Sequence, residues 1–297
     1  MAGEFDYLLQ LIVSGLAVGS VYAVIGIGFV VIYKATKILN FAHGEILMVA
    51  AYFCLLLMER FHFGFLSAFF LTLAFCALLG LGIERFIMRS MIGEPISAVV
   101  MITLGLSIVL RPLTGIIFGF GNVMFPSPFP KEPIVISKIV VSYAHLWTFI
   151  ISCGVMVIFF LFFKYSTLGI AMRAAADRQT VAFLMGINVK KIFSLSWAIA
   201  AVTGGISGIL LANVLVMNLN LSFVAIKVFP AIILGGLDSV VGALIGGLLI
   251  GLFETLVGGY LDLYISGIKE ISAYILLFII LILRPYGLFG TEEIERV

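Results

Sequence analysis

Nine apolar stretches leave this chain only one solvent in which to fold. Seven of them, at about 8–33, 41–58, 63–83, 96–118, 144–163, 192–214 and 242–261, run to roughly 20 residues, enough for an α-helix to cross a ~30 Å hydrocarbon core. Two shorter ones lie at about 223–234 and 271–283. A water-soluble fold needs more polar surface than a chain that is 63% hydrophobic, 11% charged and carries 27 Phe can supply. Mean hydropathy is +1.28. No ten-residue alternating pattern marks a β-barrel. The expectation is an all-α polytopic membrane protein with eight to nine transmembrane or half-membrane helices, forming a single domain over 1–297.

Against this background one block is charged. Lys164, Arg173, Asp177, Arg178, Lys190 and Lys191 fall within 164–191, which must therefore lie in water. Its helical pattern predicts Met172, Ala175, Gln179, Ala182, Phe183 and Gly186 on one face, with Arg173, Asp177 and Thr180 opposite. Such an amphipathic helix on a membrane surface is suited to docking another protein. Loops rich in Lys and Arg stay in the cytoplasm. If all nine stretches cross with this block inside, eleven basic residues (Lys34, Lys37, Arg85, Arg89, Lys164, Arg173, Arg178, Lys190, Lys191, Arg284 and Arg296) are internal. Four (Arg60, Lys131, Lys138 and Lys269) are external, which puts the N-terminus outside and the C-terminus in the cytoplasm. Arg111 and Lys227, within or at the edge of apolar runs, are set aside.

Several chemistries find no support. The net charge of +2, with basic residues at membrane borders, gives no nucleic-acid footprint. Cys54, Cys76 and Cys153 lack metal-type spacing and read as small core residues. His43 and Glu45, at i and i+2, point to different sides of a helix, so no metal site is assigned. His62 and His145 read as interfacial. The start of the chain, with Glu4 and Asp6, lacks the basic region of a removable signal. Of the acids, only Glu254 sits well inside a predicted span, which is thin support for ion coupling. No nucleophile–base pair or phosphate loop appears, so no catalytic residue and no cofactor is assigned, and energy for active transport must come from a partner.

Two glycine-marked segments read as broken helices. In 37–52, Asn40, His43, Gly44 and Glu45 interrupt the start of an apolar run; in 234–251, Gly235, Gly236, Asp238 and Gly242 do the same. Matching interruptions point to an inverted-repeat transporter with a path at the repeat interface. Close packing through small residues accounts for the glycines as well. Pro126, Pro128, Pro130 and Pro133 make 119–143 an extended external loop, a lid or a hairpin.

The segments 15–52 (with NFAHGE), 102–107 (ITLGLS), 168–210 (with RAAADRQTVAFLMGI), 234–251 and 284–290 (RPYGLFG) together resemble the LivH-type permease subunits of branched-chain amino-acid ABC importers. The resemblance covers nearly the whole chain in order. It departs at Val241, where a proline often precedes GA, and in the four prolines of the external loop. It implies a heterodimer with a homologous second permease, two cytoplasmic ATPase subunits that bind the ATP, and an extracytoplasmic solute-binding protein. It also implies a coupling helix at about 168–187 seated in an ATPase groove through Gly169, Arg173, Ala174, Ala175, Asp177, Ala182, Gly186 and Ile187, and a bacterial-type inner membrane.

Polar residues and helix breaks at membrane depth belong beside a cavity or protein, so Asn40, Phe41, His43, Gly44, Thr103, Gly105 and Ser107 are expected to border the substrate path. The expected substrate is an aliphatic amino acid such as leucine, isoleucine or valine. Urea, amides and other small organic acids are the alternatives within the family. Outside it, a secondary carrier would need ion dependence, a passive channel would need a pore without ATPases, and an intramembrane enzyme would need facing catalytic groups.

Overall fold

The computed structural model describes residues 2–130, 132–136, 139–177 and 179–290. Lys131, Lys138, Arg178 and Arg296 of the charge count lie outside them. The elements are α1 (Ala2–Thr36), α2 (His43–Glu59), α3 (Phe65–Phe86), α4 (Ile96–Phe118), β1 (Ile134–Ile136), β2 (Ile139–Val141), α5 (Tyr143–Tyr165), α6 (Thr167–Asp177), α7 (Gln179–Leu184), α8 (Val189–Val214), α9 (Val224–Gly235), α10 (Val240–Leu261) and α11 (Ile268–Leu283). All nine apolar stretches are helical, but among the described residues only α1, α3, α4, α5, α8 and α10 are long and apolar enough to cross a bilayer. The 17 residues of α2 span about 25 Å and begin after a non-helical link. The proline-rich segment ends in an antiparallel hairpin that pairs Ile134 with Val141 and Ile136 with Ile139.

The chain divides into two compact units. One comprises Met1–Gly26, Phe129–Met156 and Lys227–Val297; the other comprises Ile27–Pro128 and Val157–Ile226. In the second unit α2, α3 and α8 pack on one another. Most of α2 is buried, which fits a helix that is apolar on nearly all sides. Glycines let the backbones meet: a Cβ on Gly80 of α3 would strike the Trp197 carbonyl of α8, and one on Gly208 of α8 would strike the Leu47 carbonyl of α2.

In the first unit Gly15 and Gly19 of α1 face Gly247, Leu248, Gly251 and Leu252 of α10, again at four-residue spacing. The second glycine-marked segment is the turn between α9 and α10. Gly235 and Gly242 lie against each other's carbonyls, Gly236 takes φ +103°, and the Ser239 hydroxyl caps α10 by accepting the Gly242 N–H at 3.0 Å. Asp238 in this turn is half-buried. The RPYGLFG segment closes the open end of α9, where the N–H groups of Leu288 and Phe289 donate to the carbonyls of Leu234 (2.8 Å) and Gly235 (3.0 Å).

Candidate functional site

The break between α1 and α2 organises the site. Thr36 ends α1 by donating to the Ile32 carbonyl at 2.8 Å and accepting the Ile38 N–H at 3.3 Å. Lys37 then takes the left-handed conformation, φ +58°. The Asn40 side-chain carbonyl accepts the Ala42 N–H at 3.0 Å and its backbone carbonyl accepts the His43 N–H at 3.2 Å, an Asx turn that launches α2. The Phe41 N–H donates to the Thr103 hydroxyl at 3.4 Å. Thr103 lies two turns into α4, about 10 Å along its axis. Non-helical backbone therefore lies beside the second turn of an apolar helix, an arrangement that lipid tolerates only where the backbone is buried in protein or lines a cavity.

Beside this link, within the second unit, is a cavity of about 200 Å³. Ile32, Asn40, Val99, Thr103 and Trp197, all buried, form its inner part, and the α3–α4 connection contributes Met91, Ile92 and Glu94. The Asn40 amide nitrogen has no hydrogen-bond partner among the described residues, although the side chain is 1% exposed. Thr103 is satisfied, since it also donates to the Val100 carbonyl at 2.9 Å.

Two ion pairs in the same unit escape the sequence reading, which places Glu254 alone inside a span. Glu84, 1% exposed, lines the cavity and is held by both nitrogens of the Arg89 fork, at 3.1 and 2.8 Å, and by the Ser194 hydroxyl. Glu45, 4% exposed, lies 3.3 Å from Arg111, whose guanidinium also donates to the Ser222 hydroxyl and sits 3.8 Å over the Phe223 ring. Glu254 is buried as well and accepts the Tyr22 hydroxyl at 2.9 Å in the first unit. Among the described residues three acids, not one, are thus buried, and two of them are paired with arginine. An Arg within an apolar run calls for a buried partner, a carboxylate among the options, and Arg111 was the available signal.

The expected path residues separate. Asn40 and Thr103 line the cavity, and Phe41 ties the link to α4. His43 and Gly44 are closely packed: the His43 ring lies against Gly28 and Gly204, 4.6 Å from the Phe29 ring, and a Cβ on Gly44 would strike the Ser222 carbonyl. His43 and Glu45 do face different neighbours. Gly105, opposite Thr103 on α4, is exposed with open space around it, and Ser107 is half-buried outside the cavity lining.

In the charged block Thr167–Asp177 and Gln179–Leu184 are helical, and Gly186, at φ +84°, follows the end of the second segment. Gly169 permits the sharp entry into α6, against the Phe162 carbonyl. Met172, Ala175 and Ala182 are buried as expected, but they are buried within this chain; Phe183, Leu184 and Met185 are 68–78% exposed. Gly186 is exposed too, as are Arg173 and Ala174, while Ile187 is half-buried and donates its N–H to the Ala182 carbonyl at 3.0 Å. The side chain of Asp177, with Arg178, lies outside the described residues. The exposed surface of the second segment is therefore apolar and includes Phe183, whereas Ala175 and Ala182 are turned inward.

Comparison with known proteins agrees with this architecture. The family described as branched-chain amino acid transport system permease component matches residues 11–284. The chain is 31% identical to the high-affinity branched-chain amino acid transport system permease protein LivH of Escherichia coli K12, with 100% of each chain covered. It is 31% identical to BraD of Pseudomonas aeruginosa, described in the same words, with 99% of each covered. It is 27% identical to a probable LivH of Methanocaldococcus jannaschii over 90% of this chain and 88% of the relative. No solved structure matches. With polytopic helices, a broken-helix site and this full-length similarity in hand, the chain belongs to the permease component family of branched-chain amino acid transport systems.

Proposed function

We propose that this chain is the membrane-spanning subunit of an ATP-driven importer of aliphatic amino acids, its two units serving as one permease domain. The observation that carries the reading is full-length similarity to proteins named for branched-chain amino acid transport. On this reading the chain pairs with a homologous permease, two cytoplasmic ATPases and an extracytoplasmic binding protein in an inner membrane, with the N-terminus outside. The chain itself is non-catalytic and holds no cofactor; hydrolysis belongs to the ATPases.

Physical features support the division of labour. Buried carboxylates held by Arg89 and Arg111 are poor carriers of a coupling ion, because releasing a charge from a buried pair leaves its partner unpaired. The exposed apolar residues Phe183, Leu184 and Met185, flanked by Lys190 and Lys191, form the surface that meets an ATPase. Closure of the ATPases then moves α6 and α7, and the two permeases alternate between outward and inward access. Asn40 and Thr103 border the path, where a weakly attractive surface favours release over retention.

The reading is tested in a bacterial strain lacking its own branched-chain amino acid permease. Supplying this chain with its partner subunits should restore uptake of labelled leucine; growth-supporting expression without leucine uptake would refute the substrate assignment.

A further inference from the structure

The run 215–223, between α8 and α9, is fastened along its length by the C-terminal end of α4 and the residues that follow it. At one end Val123 and Met217 exchange both backbone hydrogen bonds, at 2.9 and 3.1 Å, as an isolated antiparallel bridge. Beside the bridge the Asn218 amide donates to the Asn122 side-chain carbonyl at 3.2 Å. In the middle, a Cβ on Gly115 would strike the Phe120 ring and the Leu219 side chain. At the other end Arg111 donates to the Ser222 hydroxyl and lies over the Phe223 ring, while the Ser222 carbonyl rests on Gly44 in the first turn of α2. All of these residues belong to the second unit. The run therefore reaches from the surface to the start of a broken helix.

The two ends are not equally secure. Arg111 is anchored, because it also pairs with the buried Glu45. The bridge end rests on three hydrogen bonds next to the exposed residues Phe120, Met124 and Val216. Hydrogen bonds that exchange with water contribute little net stability, and segments held by them open ahead of the rest of a fold. Gly119, at φ +94°, and Gly121, with open space around it, stand between α4 and the bridge and can absorb a backbone rotation. The short turn after the bridge survives such a movement, since Asn218 caps it locally by accepting the Asn220 N–H at 2.9 Å.

We propose that the run 215–223 is a gate at this end of the second unit. In the closed form seen here it is fastened to α4; opening breaks the Val123–Met217 bridge and uncovers Met217, which is fully buried, while Arg111 keeps its hold on Ser222 as the pivot. The basic-residue distribution places this end outside the membrane, so the gate governs entry from the extracytoplasmic side. This inference rests on the transport reading above for its orientation and for the cargo that passes.

The experiment is a reversible cross-link in the assembled complex in proteoliposomes, with this chain lacking Cys54, Cys76 and Cys153 and carrying Val123→Cys together with Met217→Cys. Antiparallel partners that exchange both hydrogen bonds have Cα atoms about 5.5 Å apart, within the reach of a disulfide. The reduced complex should import leucine with receptor and ATP, oxidation should lower uptake at least tenfold, and reductant should restore it, which a folding defect cannot do. Ile134→Cys with Val141→Cys, opposite each other in the β1–β2 hairpin, should import equally in both states and controls for oxidation elsewhere. If the first pair does not close, Asn122→Cys with Asn218→Cys carries the test. Uptake by the cross-linked complex at more than a tenth of the reduced rate, or failure of both pairs to cross-link, would overturn the gate and leave the transport function standing. Absence of leucine import by the wild-type complex with receptor and ATP would instead overturn the function.

Discussion

Arg111→Met should expose how strongly the Glu45–Arg111 pair holds the second unit together. The Arg111 side chain is 27% and the Glu45 side chain 6% exposed, and they lie 3.3 Å apart, so at an effective dielectric of 20 their attraction is about 5 kcal/mol. Most of that offsets the cost of dehydrating both charges. Removing Arg111 alone leaves the Glu45 carboxylate buried without a counter-charge, and also leaves the Ser222 hydroxyl and the Phe223 ring without their cation. The expected loss is about 3–5 kcal/mol, the range for breaking a buried pair from one side. Replacing both partners, Glu45→Leu with Arg111→Met, removes the unpaired charge and should cost at most about 2 kcal/mol. Unfolding of the purified protein in mixed detergent micelles, followed by circular dichroism, measures both. A single variant within about 1 kcal/mol of wild type, or a double variant equal to the sum of the two singles, would refute the reasoning.

Gly44→Val should abolish the yield of inserted, monodisperse protein because its side chain has only the Ser222 carbonyl and Ala225 to enter, whereas Gly105→Val, in open space, should leave the yield unchanged. Equal yields would refute that packing. In the charged block, Leu184→Glu should lower ATP-driven uptake at least tenfold while leaving the protein inserted, and Ala175→Arg should instead reduce insertion, because Ala175 is fully buried; normal uptake by the first would contradict docking on the α7 face. Cysteines at Asn40 and Thr103, in a background lacking Cys54, Cys76 and Cys153, should react with small water-soluble thiol reagents in at least one nucleotide state. One at Gly105 should stay unreactive in lipid. Protection of the first two in every state would remove them from the path.

The length of the apolar runs made the helices legible, since each run had to be helical once it lay in lipid. Positions of the breaks were legible for the same reason: Asn40 and Gly235 mark places where the helical pattern fails, and the structure puts a link and a turn there. What the sequence could not show is which polar residues meet. Glu45 and Arg111 are 66 residues apart, and Glu84 and Ser194 are 110 apart, so their pairing is a property of helix packing and not of local pattern. The face of the charged block was half legible. Periodicity identified Met172, Ala175 and Ala182 as one surface, but a surface of small residues can pack on its own protein as readily as on a partner, and here it is buried internally. Gly105 was grouped with Thr103 and Ser107 among the polar residues and helix breaks at membrane depth, although two residues along a helix from Thr103 it lies on the other side of α4.

The central claim, that the chain passes aliphatic amino acids at the expense of ATP hydrolysed by its partners, is tested most directly by uptake into proteoliposomes containing the assembled complex, with the binding protein outside and ATP within. Labelled leucine should accumulate only when ATP and the binding protein are both present, with isoleucine and valine competing. Accumulation of labelled urea or an aromatic acid while leucine stays outside would contradict the account.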